Sequence, residues 1–494
     1  MDALSQFLKR SDGRRLTILV VGDSVIDEYY AVRVSRISPE FPIPVLHSEE
    51  DAPVSRVPGG AANVCHQLKH WNADVQLITV GDQEALDLFS QHGIKLDYAV
   101  PILKWKTPRK KRFYDGDFPL DRWDVELKSN KTDTQGWTGA RTRLLTHFGK
   151  AVREFCPDIV IISDYGKGVF VGGEENLSVP IIQLCNNKGI STIVDPKTVN
   201  KHFWRGCTVL KPNADWARSF YDKYCAEEGK KSVRWSEESA FIQREINCDS
   251  VVLTDSGNGV CVYAEGEDCF YSSPILSKKR PVIRSVIGGG DCFCAFFAMS
   301  YALGIHLEGS VQVAFNAASA YIEDKHNNPL TPYQFWKWHN PIEAKKVSVE
   351  KLVEIKQSMP NQTWVWTNGC FDIMHPGHLK TFVEAKKLGD KVVVGLNTDE
   401  SVKMLKGESR PILTFEERQE QLAHLQYVDF IVPIPDKTPA NIIREVKPDK
   451  IVKGGDYNKT DIAGIDVVGE DNIHLVPLVP GVSTSKIIEK VKNG

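Results

Sequence analysis

"TWVWTNGCFDIMHPGHLK", residues Thr363–Lys380, decides the fold of the region around it. It opens as a β-branched and aromatic run, stops at a glycine, and turns before Pro376 begins a helical stretch. Proline suits the first turn of a helix, where its missing N–H would have no intrahelical partner. A strand that ends at a glycine turn and feeds a helix is the repeating unit of a parallel sheet covered by helices. "KVVVGLN", "FIVPIP", "KIVKGGD" and "IHLVPL" follow as further apolar runs separated by helix-length segments. Residues 362–494 are therefore expected to form a small α/β domain.

The same turn carries chemistry. His375 is expected just before the helix and His378 within its first turn, so both imidazoles can point at one anion held over the helix N-terminus. Imidazoles that donate hydrogen bonds can hold the phosphates of a nucleotide while another phosphate attacks the α-phosphorus and pyrophosphate leaves. Two rival readings stay open at this point. A zinc site would need further ligands, with Cys370 or Asp372 the nearest choices and no second ligand pair in view. The blander alternative is two surface histidines in a turn.

Upstream, "LTILVVGD" (Leu16–Asp23), "VQLITVGD" (Val75–Asp82), "DIVIISDYG" (Asp158–Gly166), "STIVDPK" (Ser191–Lys197), "CTVLKPN" (Cys207–Asn213) and "SVVLTDSGNG" (Ser250–Gly259) read as strands with helices between most of them. Alternation of this kind predicts a second, larger and mainly parallel sheet. Ligands of such sheets lie beyond the carboxyl ends of the strands, which makes Asp23, Asp164, Asp195, Asn213 and Thr254 site candidates. "SVIGGGDCFCAFFAMSYALG" (Ser285–Gly304) places three glycines and an aspartate before an apolar helix. Amides at a helix start attract anions, so Asp291 is out of place there unless it accepts a proton from a hydroxyl attacking phosphorus. A plain helix-capping aspartate is the alternative. Prolines at 332, 341 and 360 around a single helical stretch mark residues 336–361 as a linker.

Length and composition bound the rest. With 494 residues the chain has room for two to four domains, at roughly 100–200 residues each. A net charge of −3 gives no electrostatic footprint for nucleic acid. "KTPRKKR" (Lys106–Arg112) is a local basic run, either a solvated loop or a phosphate contact. No apolar stretch is long enough for a membrane span. Eleven scattered cysteines with no CxxC pair argue for reduced thiols and a cytoplasmic protein.

"VVGDSVIDEYY", "SRISPEFPIPV", "PGGAANV", "SDYGKG", "VDPK", "LTDSGNGV" and "GGGD" resemble the ribokinase-type sugar kinases. The particular resemblance is to the kinase half of the bifunctional heptose-7-phosphate kinase/heptose-1-phosphate adenylyltransferases. It implies a ribokinase-like kinase domain over residues 1–335, with Mg2+ and ATP as the phosphoryl source and a sugar phosphate as acceptor. Asp291 would be the catalytic base and Gly288, Gly289 and Gly290 the anion hole. Asp23, Asp27, Gly59, Gly60 and Asn63 would face the sugar, with Lys111 and Arg112 on its phosphate. Lys197, Asn213, Thr254, Ser256 and Gly257 would lie along the ATP. The pairing habit of ribokinase-like domains implies a homodimer. Where the family usually has Thr-Gly-Ala-Gly-Asp this chain has Ile-Gly-Gly-Gly-Asp, and Trp216 stands where Asn-x-x-Glu has its glutamate. A kinase-like domain that only binds sugar phosphate therefore stays as the second reading.

The opening turn, with "GLNTDESVKMLKGESRPI", "EERQEQL", "VKGGDY" and "GVSTSKII", resembles the HxGH nucleotidyltransferases, which have a Rossmann-like fold. This resemblance implies that His375, His378, Lys406 and Arg410 meet the triphosphate and that Asn397 and Asp399 lie near nucleotide or acceptor. Lys453, Gly454, Gly455 and Asp456 would shape the nucleotide pocket, and Ser483, Thr484 and Ser485 would receive a phosphate at a helix start. "KGGDY" and the fused sugar kinase favour adenylyl over cytidylyl transfer.

Overall fold

Leu16–Gly22 is apolar along nearly its whole length and is buried on both faces, as a central parallel strand requires. In the computed structural model it pairs in parallel with Ala73–Ile78 on one side and Ile159–Ser163 on the other. The structure describes residues 2–48, 53–103, 105–116, 118–126, 134–170, 176–225, 235–264, 267–272, 283–324, 328–357, 359–455 and 457–477. The chain divides into two compact units, Met1–Phe335 and Trp336–Gly494.

Among the described residues of the first unit the main sheet has eight strands. Their spatial order is Ala73–Ile78, Leu16–Gly22, Ile159–Ser163, Ser191–Asp195, Val209–Leu210, Ser250–Asp255, Gly259–Ala264 and Glu267–Ser272. Only the last two pairings are antiparallel. All the predicted runs are present, and those before Gly259 end on one edge of the sheet. A second sheet, Phe118–Val125, Arg109–Asp115, Ser24–Ala31 and Ser55–Gly60, grows directly out of the end of the first strand, with Asp23 at the junction.

The helix Gly289–Ala302 is buried all round from Asp291 to Ser300. Its apolar faces hold it rigidly. Phe296 meets Phe7 and Trp71 at ring separations of 6.1 and 5.0 Å, and Trp71 donates its indole N–H to the Leu330 carbonyl at 2.8 Å. A helix this deeply seated fixes whatever stands at its N-terminus.

Among the described residues the second unit has a five-stranded, all-parallel sheet in the order Phe430–Ile434, Lys391–Asn397, Trp364–Gly369, Lys450–Gly454, Ile473–Val476. The chain winds outward in one direction from Trp364–Gly369 and then in the other. The topological switch point therefore lies between Trp364–Gly369 and Lys450–Gly454, where open α/β sheets bind ligands. Residues 336–361, read as a linker from their prolines, group with this unit. Val349–Gln357 is a helix that buries Leu352 and Ile355, three residues apart, against Ala440–Val446 and Phe430–Ile434. Apolar spacing at helical period outweighs the prolines, which punctuate its ends.

Candidate functional site

The first unit gathers its chemistry where the two sheets meet. Gly59 and Gly60 end the strand Ser55–Gly60, and Asn63 lies in the helix that follows, Ala61–Gln67. A Cβ on Gly59 would come within 2.4 Å of an Asp27 carboxylate oxygen, and one on Gly60, at φ +61°, within 2.5 Å of the Asp23 carbonyl. The two glycines thus let the strand end press against both aspartates. Gly288, at φ +76°, lies so close to Asn63 and Tyr321 that a Cβ would sit 2.7 Å from the amide nitrogen and 2.8 Å from the hydroxyl.

Asp291 is buried, yet both its oxygens are hydrogen-bonded. Asn63 Nδ2 donates to Oδ2 at 2.7 Å, and the Tyr165 hydroxyl donates to Oδ1 at 2.5 Å. Gln67 steadies Asn63 through a 3.0 Å bond. Burial pushes the Asp291 carboxyl up to about 6, against the two donors that favour its charge. It is thus an ionised base at neutral pH with a proton affinity well matched to taking a hydroxyl proton.

Two expected sugar contacts are placed otherwise. Asp23 turns its carboxylate onto the backbone amides of Tyr165 (3.0 Å), Lys167 (3.0 Å) and Val169 (2.8 Å) and caps that loop. Burial and the nearby Asp164 raise its pKa to about 7. Lys111 and Arg112 do not share a face, because successive strand residues point to opposite sides of a sheet. Arg112 pairs with Asp27 at 2.8 Å, and Lys110 lies over the Tyr165 ring, 5.0 Å from its centre. Lys111 instead lies over Tyr30 and Trp123 on the other side. Lys110 is thus the cation that joins Arg112 in the site.

Lys197, Asn213, Thr254, Ser256 and Gly257, the residues expected along the ATP, stand at the carboxyl ends of neighbouring strands, and Asn213 and Thr254 are bridged directly. Asn213 Oδ1 accepts from the Trp216 amide at 2.8 Å and starts the helix Ala214–Cys225. Trp216 is core: it is buried and stacks on Phe220 at 4.9 Å. Gly289 and Gly290 form the first turn of the Asp291 helix, where the leading amides have no intrahelical acceptors.

In the second unit His375 is the N-cap of the helix Pro376–Leu388, with Pro376 in its first turn. The His375 and His378 rings stack 3.7 Å apart, and their Nδ1 atoms are buried with no hydrogen-bond partner among the described residues. Burial, His375 and Lys406 depress His378 to about 4, and burial also lowers His375. Both rings are neutral at pH 7, and an anion would relieve both deficits. Phe371, at φ +48°, holds a strained turn and packs its ring on His378 at 5.1 Å. Among the described residues no group of three or more His, Cys, Asp or Glu could hold a metal ion.

The remaining expected contacts are held in a frame that includes an arginine not expected there. Arg418 is completely buried and donates to the carbonyls of Leu413 (3.0 Å), Cys370 (2.6 Å) and Asn397 (2.8 Å) and to Asp399 Oδ1 (2.7 Å). Asn397 bonds Ser401 at 2.8 Å. Arg410 is held by Asp372, its Nε 2.5 Å from Oδ2, and Asp372 also accepts from the Ile412 and Leu413 amides. Lys406 stays exposed near His378. At the switch point Lys453 Nζ donates to the Asn368 carbonyl at 3.1 Å, and burial lowers its pKa to about 8. Gly454 passes so near Thr381 that a Cβ would lie 2.6 Å from its hydroxyl, and Gly455 has φ +133°. Asp456, Ser483, Thr484 and Ser485 lie outside the described residues.

Sequence reasoning missed Tyr165, Lys110 and Arg418. Tyr165 stood beside the flagged strand end Asp164. Arg418 lies in "EERQEQL", a stretch that carries the resemblance, but nothing in that polar helix pattern marks the arginine as buried.

Residues 173–332 match the family model described as pfkB family carbohydrate kinase, and residues 366–490 match the one described as cytidylyltransferase-like. The bifunctional protein HldE of Campylobacter fetus is 32% identical over 488 residues, covering 97% of this chain and all of that protein. HldE of Haemophilus influenzae is 32% identical over 496 residues, covering 97% of this chain and 98% of that protein. Among solved structures, phosphofructokinase-2 of Escherichia coli is similar in fold, with a TM-score of 0.51 at 15% identity, covering 66% of this chain and 99% of that one.

Two predictions come from this geometry. Gly288→Ala should displace Asn63 and strain the backbone by about 1–2 kcal/mol, lowering phosphoryl transfer at least about tenfold. Gly289→Ala meets only the Ile322 methyl at 3.3 Å and should keep activity in a coupled ADP-release assay. Equal loss in both variants would contradict the close-approach argument. Arg418→Met strips four acceptors at once and should destabilise the second unit by about 3–5 kcal/mol, read from urea inactivation of nucleotidyl transfer.

Proposed function

The chain belongs to the family of bifunctional HldE proteins, and from that membership we propose that it makes an ADP-activated heptose in two steps. It is a bifunctional transferase with a carbohydrate kinase unit and a nucleotidyltransferase unit. In the first step D-glycero-D-manno-heptose 7-phosphate receives a phosphoryl group on O1 from ATP, which arrives with Mg2+ as its substrate complex. In the second the heptose 1-phosphate attacks the α-phosphorus of another ATP and pyrophosphate leaves. The product would feed lipopolysaccharide or another glycan from the cytoplasm.

One observation carries this reading: both units have a helix start at the carboxyl ends of parallel strands, one armed with a buried carboxylate and the other with two imidazoles whose Nδ1 atoms have no partner among the described residues. In the kinase Asp291 takes the O1 proton as the oxygen bonds to the γ-phosphorus, while amides of Gly288–Gly290 at the helix start stabilise the charge in transit. Lys110 and Arg112 supply cations for the sugar's own phosphate. In the transferase no covalent enzyme intermediate is needed, because the acceptor brings its own nucleophile. His375, His378 and Lys406 hold the triphosphate and stabilise the departing pyrophosphate.

Mass spectrometry of products from the full chain with heptose 7-phosphate, magnesium and either ATP or CTP tests the scheme. ADP-heptose should form with ATP. CTP taken in preference would make the second unit a cytidylyltransferase, and no bisphosphate from the wild-type chain would reduce the first unit to a sugar-phosphate binding module. Asp291→Asn should cut bisphosphate formation by about 10²–10⁴-fold and leave adenylylation of supplied heptose 1-phosphate intact. His378→Ala should do the reverse.

A second copy of the chain is the partner this reading supplies, since ribokinase-like kinases often pair. The small sheet and the hairpin Arg33–Ile37/Pro44–His47 leave Ile37, Phe41, Phe118 and Trp123 between 59% and 75% exposed. Such apolar exposure is a mark of an interaction face. Light scattering should give a dimer mass that Phe118→Glu with Trp123→Glu reduces to monomer; an unchanged mass would remove this face from the contact.

A further inference from the structure

We propose that Tyr165 is a positioning residue of the kinase site: its hydroxyl, carried on a loop that Asp23 caps, fixes the Asp291 carboxylate in the orientation from which it takes the acceptor's proton. This rests on the kinase reading above and adds a residue to it.

Three observations support the assignment. First, the Asp291 oxygens are held from two separate elements. Tyr165 grips Oδ1 at 2.5 Å, and Asn63, on the helix Ala61–Gln67, grips Oδ2 at 2.7 Å. Rotating the carboxylate requires both bonds to break. Second, Tyr165 is itself held. Its amide and two further amides of the same loop converge on Asp23, and the Gly166 amide is bound by Asp164 at 2.8 Å. Gly60 lies in ordinary contact range of the ring, a Cβ there standing 3.4 Å from Cδ2, and Lys110 lies over the ring. Third, the phenol keeps its proton. Burial and the Asp291 charge push its pKa well above the usual value, so it stays a donor across the working range.

The proton balance follows. The acceptor's oxygen bonds to the γ-phosphorus as the bond to the β–γ bridging oxygen breaks and ADP departs. The hydroxyl proton ends on Asp291 and later leaves to solvent. Tyr165 exchanges no proton at any stage. Its contribution is geometric and electrostatic, because a donor on Oδ1 favours the carboxylate over the acid.

Among the described residues, the other ionisable groups facing Asp291 are Lys110, Asp195, Lys211 and Tyr321, with the Cys292 and Cys294 thiols of its own helix. All are retained when only the Tyr165 hydroxyl is removed. A comparison of wild type with Tyr165→Phe therefore isolates that hydroxyl.

The test is the pH profile of kcat/KM for heptose 7-phosphate in the full-length chain. Activity requires the Asp291 carboxylate, so it falls as pH drops through the carboxyl's pKa. Removing a donor from the carboxylate raises that pKa. The acid limb of Tyr165→Phe should therefore move to higher pH by about one unit, the scale of a hydrogen bond to a charged group. KM for ATP and adenylyl transfer should stay within about twofold. A fluorinated tyrosine placed at position 165, a stronger donor, should move the limb the opposite way, which keeps the idea testable if the phenylalanine variant folds poorly. A lower rate with an unmoved limb in either variant would make Tyr165 a packing residue and overturn the proposal. Absence of phosphorylation by wild type at every pH would instead sink the kinase reading, and this proposal with it.

Discussion

The first amides of a helix have no acceptors within the helix, and a parallel sheet brings several such helix starts to one edge. The proposed chemistry of both units depends on that constraint. The amides must find partners, and a phosphate supplies several acceptor oxygens together with negative charge that the helix dipole favours. Gly288–Gly290 and the His375–Pro376 junction are two solutions to it. In the first, glycine lets the turn close tightly against Asn63 and Tyr321. In the second, proline fixes the entry while the capping residue uses its side chain for something other than capping: His375 makes no side-chain cap bond.

Burial then acts on the two sites in opposite senses. It raises the proton affinity of Asp291 and lowers that of His378, because low polarisability disfavours whichever form is charged. A carboxylate that must collect a proton gains from the first shift, provided donors keep it ionised at rest. Imidazoles that must bind a polyanion begin neutral and gain charge stabilisation only when the anion arrives. Near neutral pH both resting states hold together, with Asp291 ionised and the histidine pair uncharged. In the proposed function the same physical term thus prepares a base in one unit and an anion receptor in the other.

The parts legible in sequence are those whose determinants are local. The strand, turn, proline and two histidines of Thr363–Lys380 lie within one short segment, and the structure places them as the spacing predicts. The alternating strands and helices were equally plain, because each needs only its own apolar run. What stayed hidden is what depends on register or on distant segments. Lys110 and Lys111 are neighbours of identical charge, and only the pairing of Arg109–Asp115 with Ser24–Ala31 decides which one faces Asp27 and Tyr165. Arg418 looks like any polar helix residue until Cys370, Asn397 and Leu413 bring their carbonyls to it from two loops and a strand end.

Asp23 shows why strand-end carboxylates are ambiguous even when correctly flagged. Its position at the end of Leu16–Gly22 satisfies the rule for ligand-facing residues, yet three amides more than 140 residues away occupy it. A carboxylate bound by three backbone donors has little capacity left for a sugar hydroxyl, so its function passes to what those donors carry. They carry the loop of Tyr165, whose hydroxyl reaches Asp291. The strand end therefore acts on the reaction through two intermediaries, and removing its charge would be felt at the base without any change in what touches the substrate. A rigid relay of this kind explains how so buried an acid can sit at a catalytic edge: its work is to hold the loop that holds the base.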